Sequence, residues 1–71
     1  MSIIGFHPNI VSILKENKGR MDRLELAYAL APRGFRIDEA YAEIGSAVND
    51  GTVIERRSGL TTTIYLNLPP A

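Results

Sequence analysis

Residues 42–57 read AEIGSAVNDGTVIERR and mark the passage from an α-helix into a β-strand. Ile44 and Val48 stand four residues apart, which is the spacing of one helix face. Gly51 follows them and suits the left-handed conformation that often ends a helix. From Thr52 onward β-branched residues become frequent, as is typical of a strand. This junction predicts a helix that leads directly into β-structure.

A second run of strand-forming residues follows after a short turn, and the two together predict a β-hairpin over residues 52–68. The turn is expected at Ser58-Gly59-Leu60. In the second run Ile64, Leu66 and Leu68 alternate with polar residues, which indicates a strand with one buried face. An isolated hairpin is only marginally stable in water, so this one must pack against other elements.

Three helices are predicted from apolar residues at helical spacing, over residues 8–18, 23–31 and 38–50. Asp22 and Asp38 are the expected N-caps, because a carboxylate there accepts from backbone N–H groups that have no partner within the helix. The expected inward-facing residues, with Phe35 from the turn before the third helix, are Ile10, Ile13, Leu14, Leu26, Ala27, Leu30, Phe35, Ile37, Ala40, Tyr41, Ile44, Ala47 and Val48.

The order of helix, helix, turn, helix and hairpin resembles the winged helix-turn-helix domains of transcription regulators, over roughly residues 10–68. The positions that carry the resemblance are Ile44, Val48, Asp50, Gly51 and Val53 at the junction of the third helix and the wing, residues 63–66 as the final strand, and residues 19–22 as a link that pairs beside the wing. The resemblance implies a single α+β domain, mainly α-helical, with three helices and a C-terminal wing. Residues 1–7 would form an arm and residues 69–71 a tail.

Composition excludes several classes of function. The chain has 71 residues, enough for one domain. Cysteine is absent, which rules out disulfides and Cys-based zinc sites, and no phosphate-binding or dinucleotide-binding motif is present. We expect neither an enzyme nor a cofactor, metal, small-molecule substrate or membrane span, and we expect a cytoplasmic location. His7 is the only histidine, and it is expected to be a surface or packing residue without an oriented partner.

The resemblance implies a small sequence-specific DNA-binding transcriptional regulator of bacterial, archaeal or phage type. Its third helix would enter the major groove, while the arginines of the wing and of the preceding turn would contact phosphates or the minor groove. The expected DNA-binding residues are Ala42, Ser46 and Asn49 on the third helix, Arg56, Arg57 and Gly59 in the wing, and Arg33 and Arg36 in the turn. Arg20 and Arg23 could extend the positive rim.

The net charge and the acidic residues of the third helix argue against DNA binding. Eight basic residues balance eight acidic ones, whereas most DNA-binding modules have a basic excess. The third helix contains no Lys or Arg, and its four acids are Asp38, Glu39, Glu43 and Asp50. Phosphates would repel them.

The alternative is a winged-helix adaptor that binds a protein partner. Glu39 and Glu43 of the third helix would face a basic surface, or Tyr28 and Leu24 would form an apolar contact. A homodimer is a further possibility, through the arm residues Ile3, Ile4 and Phe6 or through the strand that ends at Leu68.

Overall fold

The computed structural model describes residues 7–67. In this part of the chain the helices are α1 (Pro8–Glu16), α2 (Arg23–Leu30) and α3 (Ile37–Asn49), and the strands are β1 (Arg20–Asp22), β2 (Val53–Ser58) and β3 (Thr61–Leu66). The strands form one antiparallel sheet in the order β1-β3-β2. The predicted α+β architecture, with three helices and a C-terminal hairpin, is confirmed. The predictions for the arm residues Ile3, Ile4 and Phe6, for Leu68 and for the tail lie outside the described residues.

All three helices end earlier than the sequence predicts, α3 by one residue, at Asn49. Helix α1 stops at Glu16, because Lys18 and Gly19 both adopt left-handed backbone conformations, with φ of 64° and 85°. The N–H of Gly19 donates to the carbonyl of Leu14 at 2.7 Å, as a C-terminal cap does. Helix α2 ends at Leu30 and is followed by a single 3₁₀ turn, Ala31–Arg33.

Asp22 caps α2 as predicted, since its carboxylate accepts the N–H of Leu24 at 3.0 Å. The prediction that Asp38 caps α3 is wrong. The helix begins one residue earlier than expected, and its N-cap is Arg36, whose backbone N–H donates to the carboxylate of Glu39 at 2.9 Å. Glu39 is three residues after the cap, the position from which a carboxylate reaches back to it.

A single core forms where the inward faces of the three helices meet the inner face of the sheet. Its buried residues are Ile10, Ile13, Leu14, Leu26, Ala27, Leu30, Ala40, Ile44, Ala47, Val53 and Ile64, and Phe35, Tyr41 and Val48 pack against it while partly exposed. Ile37 was expected to face inward, but it is 48% exposed. It is the first residue of α3 and stands three residues ahead of Ala40, the first α3 residue in the core.

The register of the hairpin separates two adjacent arginines. Arg57 pairs with Thr62 and Arg56 pairs with Thr63. Residues directly opposite each other in a sheet share a face, and neighbours along a strand point to opposite faces. Arg57 and Thr62 therefore lie on the side of Ile64 and the helices, whereas Arg56 lies on the outer side of the sheet.

The wing ends in a tight two-residue turn, one residue shorter than predicted. Ser58 pairs with Thr61, which leaves Gly59 and Leu60 as the turn. Gly59 has a φ of +62°, while Leu60 is not among the residues with positive φ. That combination is typical of a type II′ turn, which favours glycine at its first central position. The Leu60 side chain is fully exposed at the tip.

Two isoleucines of the sheet provide a matched test of the core. Ile64 is completely buried, whereas Ile54, on the outer face, is 44% exposed. We expect Ile64→Val to lower the free energy of unfolding by about 1 kcal/mol, because one buried methyl group is lost. Ile54→Val should cost less than about 0.5 kcal/mol. Urea denaturation of both variants measures this difference, and equal losses would contradict the assignment of the buried face.

Candidate nucleic-acid interface

One face of α3 is exposed and lined by small residues. Ala42, Ser46 and Asn49, the three residues predicted to face a DNA groove, are all exposed, and Gly45 lies beside them. Their spacing of three and four residues places them in one row along the helix. No carboxylate side chain occurs between residues 44 and 49. This row, Ala42, Gly45, Ser46 and Asn49, is called the outer face of α3 below.

The acids of α3 are engaged in contacts within the chain. Glu43 and Asp50 stand seven residues, or about two turns, apart and lie on the same flank of the helix. Both bind His7, which immediately precedes α1. Glu39 caps the N-terminus of α3, and Asp38 lies 3.9 Å from the exposed guanidinium of Arg36. Asp38 and Glu39, both exposed, stand at the N-terminal end of the outer face, one turn ahead of Ala42.

His7 lies between two carboxylates and is 5% exposed. Its Nδ1 is 2.8 Å from Oε2 of Glu43, and its Nε2 is 2.7 Å from Oδ2 of Asp50. The other carboxylate oxygen of Asp50 accepts the hydroxyl of Thr52 at 2.6 Å and the N–H of Thr52 at 3.0 Å. This His7 cluster, consisting of His7, Glu43, Asp50 and Thr52, joins the start of α1 to the end of α3.

The surroundings of His7 favour its charged form on balance. Burial disfavours the imidazolium, but the hydrogen bonds to Glu43 and Asp50, together with the negative charges of both, outweigh it and raise the pKa of His7. The pKa of Asp50 is lowered, chiefly by the hydroxyl of Thr52 and further by the backbone N–H of Thr52 and by His7. The raised pKa of His7 and the carboxylate oxygen at each ring nitrogen both favour an imidazolium in this cluster.

The His7 cluster corrects one prediction. His7 does have oriented partners, the carboxylates of Glu43 and Asp50. The partners are 36 and 43 residues from His7 along the chain, so no local pattern reveals the contact. The only sequence signal is the seven-residue spacing of Glu43 and Asp50, which places both on one flank of a helix.

A cleft separates the wing from the opposite flank of α3. Tyr41 lines it and stands two residues from Glu43, so the two side chains leave the helix on nearly opposite sides. The cleft has a volume of about 190 Å³, and its other lining residues are Asp22, Arg23, Leu24, Leu60 and Thr62. The guanidinium of Arg23 lies 4.7 Å from the centre of the Tyr41 ring, a cation–π contact.

One of the predicted basic residues, Arg23, lines this cleft. Arg57 is on the same face of the sheet, as the cross-strand partner of Thr62, which also lines the cleft. Arg20 and Arg56 do not join them. Arg20 pairs with Tyr65 and Arg56 with Thr63, so both lie on the outer side of the sheet.

The two arginines of the turn before α3 lie near the start of that helix. Arg33 donates to the side-chain oxygen of Asn9 at 3.3 Å, and Arg36 has the weak contact with Asp38. Gly59 occupies the wing turn. The structure thus groups the predicted basic residues in three places: beside the cleft, at the start of α3, and on the outer side of the sheet.

The residues predicted for a protein interface fall into two groups, one exposed and one with hydrogen-bond partners within the chain. Tyr28 and Leu24 are 62% and 48% exposed and stand one turn apart on α2. Glu39 and Glu43 are occupied by the helix cap and by His7. An apolar contact through α2 therefore remains open to a partner, whereas two of the acids of α3 already have partners within the chain.

The chain matches no protein-family model, no curated protein and no solved structure. Within residues 7–67, no three His, Cys, Asp or Glu residues are placed so as to hold a metal ion. In the same part of the chain, no helix has the length and apolar character needed to cross a membrane.

The His7 cluster predicts that stability depends on pH. Because the pKa of His7 is raised by folding, its contribution is complete below the unfolded pKa of about 6.5 and is lost as the pH rises through the folded value. We expect the free energy of unfolding, measured in urea, to fall across this interval in the wild type. The variant His7→Gln should not show this fall, and an identical fall in the variant would contradict the assignment.

Proposed function

We propose that this protein is a small sequence-specific DNA-binding regulator, of bacterial, archaeal or phage type and cytoplasmic, that places the outer face of α3 in the major groove. The proposal is carried by the engagement of the α3 acids elsewhere, with Glu43 and Asp50 on the flank held by His7. Beyond its N-terminal end, where Asp38 and Glu39 stand, the outer face carries only small residues, which allow the helix backbone to come close to the base edges. Ser46 and Asn49 supply groups that hydrogen-bond to bases.

Positive charge beside the wing-facing side of α3 comes from residues of α2 and β2. Arg23 and Thr62 line the cleft between the wing and α3, and Arg57 is the cross-strand partner of Thr62. We assign these groups to backbone phosphates, which position a protein on DNA and provide most of its non-specific affinity. Arg33 and Arg36 would extend the contact at the start of α3, whereas Arg20 and Arg56 lie outside it.

Net charge and size limit this mode of binding. With a formal charge of zero, the protein has no general attraction for DNA and depends on the local arrangement of a few arginines. A single module of 71 residues contacts few base pairs. We therefore propose that two copies bind two half-sites, so that the operator has two-fold symmetry.

The adjacent arginines of β2 test the proposal with matched variants. Arg57→Ala should weaken binding to a fluorescently labelled duplex severalfold or more, and should reduce the slope of log affinity against log salt by about one. Arg56→Ala removes the same charge one residue away, on the outer side of the sheet, and should change the slope far less.

The readout is fluorescence anisotropy with a random-sequence duplex, begun at low salt and repeated as the salt concentration rises. Equal losses in the two variants would mean that only total charge matters and would contradict the proposed orientation. An absence of binding by the wild type at low salt would contradict DNA binding itself.

A protein-interaction adaptor is the second candidate, and one observation favours it. Leu24, Tyr28 and Leu60 are exposed apolar side chains, and Leu24 and Leu60 line the same cleft. The two candidates differ at Tyr28, which has no role in the proposed DNA contact. If DNA is the ligand, Tyr28→Ala should leave the duplex affinity unchanged in the same titration. A large loss in a folded Tyr28→Ala variant would contradict the proposed interface.

A further inference from the structure

We propose that His7 is a positioning residue for DNA binding, and that its hydrogen-bonded imidazolium links duplex affinity to the uptake of one proton. The residue lies outside the proposed interface and acts through Glu43 and Asp50, on the flank of the helix that would enter the groove. The inference rests on the proposed function and deepens it, since it assigns that function a dependence on pH.

The geometry requires the charged ring. Both nitrogens of His7 face a carboxylate oxygen, at 2.8 Å and 2.7 Å. A neutral imidazole has only one N–H and can donate to only one of the two carboxylates, whereas the imidazolium donates to both. With 5% of His7 exposed, water has little access to the ring nitrogen that has lost its proton, whereas the side chains of Glu43 and Asp50 are 27% and 31% exposed.

Groups from α3, from α1 and from the residue before β2 surround His7. Helix α3 contributes two negative charges, Glu43 and Asp50. Helix α1 begins immediately after His7, and the positive end of its dipole opposes protonation. Thr52, just before β2, is uncharged and orients Asp50 by donating to it. Among the described residues, the two carboxylates are therefore the groups that stabilise the protonated ring.

Loss of this proton changes the charge of the α3 flank. The imidazolium and two carboxylates sum to one negative charge, and the neutral ring leaves two. The added negative charge lies on the helix that approaches the phosphates, and a carboxylate without its donor repels them more strongly. Deprotonation also removes one of the two bonds that join α3 to the start of α1, so the helix is held less firmly in position.

The direction of the effect follows from linkage. Bound phosphates favour the imidazolium, so the complex binds the proton more tightly than the free protein does. Affinity is then greatest at low pH and falls as the pH rises through the pKa of His7 in the free, folded protein. For one linked proton the fall cannot exceed about tenfold per pH unit.

The test is duplex anisotropy from pH 6 to pH 9 at constant ionic strength, with the wild type, His7→Gln and Glu16→Gln. The wild type should lose affinity over this range, and His7→Gln should lose most of the pH dependence. Glu16→Gln removes a carboxylate at an exposed position of α1 and should keep the wild-type slope. The terminal amine titrates near pH 8 and is present in every variant. The pH dependence of affinity that remains in His7→Gln therefore measures the contribution of the amine.

A second variant keeps the test valid if His7→Gln fails to fold. Glu43→Gln removes one of the two charges that hold the proton, so the loss of affinity should begin at lower pH. At alkaline pH it should bind more tightly than the wild type, because one carboxylate is gone. A purely structural role predicts instead a uniform loss in both variants with the wild-type pH profile.

The outcomes separate the two proposals. Binding that does not change with pH, or an equal slope in His7→Gln, overturns the linkage and leaves DNA binding intact. Failure of the wild type to bind the duplex at any pH overturns DNA binding, and the linkage with it. The pH titration of the His7 ring protons by NMR gives an independent readout. A pKa at or below the ordinary histidine value would also overturn the linkage.

Discussion

The central position of β3 in the sheet is the constraint on which the rest of the structure depends. β1, which precedes α2, and β2, which follows α3, both pair with β3 and not with each other. Ile64 in the middle of β3 is completely buried between these strands and the helices. β3 therefore connects the part of the chain before α2 with the part after α3. In a chain of 71 residues, with little core to spare, the helices and the hairpin therefore depend on one another.

The second organising feature is the division of α3 into three surfaces. Its inner side supplies Ala40, Ile44 and Ala47 to the core. One flank carries Glu43 and Asp50 and is joined to His7. The outer face is small and exposed. Two of the four acids of α3 are thereby directed to one flank, where His7 offsets part of their negative charge. The proposed link between DNA binding and the protonation of His7 rests on this same division.

Much of the fold could be predicted because it depends on local periodicity. Apolar residues recur every three or four positions in the three helices and every second position in β3, and these repeats identify the buried faces. The capping role of Asp22 and the pairing of β1 beside the wing were also predicted correctly. The errors lie at the ends of elements, where competing caps differ little in energy. At the start of α3, Glu39 reaches back to Arg36, so the helix begins ahead of the expected cap, Asp38.

The candidate site was predictable only in part. The exposure of Ala42, Ser46 and Asn49 follows from the helical period, and the separation of Arg56 from Arg57 follows from the strand period. Which arginine faces α3 depends on the register of the hairpin against the core. The His7 cluster could not be predicted, since its partners come from another helix, 36 and 43 residues away. The sequence by itself therefore determined the helices, the strands and their buried faces, because these depend on neighbours along the chain. Only the tertiary structure decided which charges meet, because that depends on how separate elements pack.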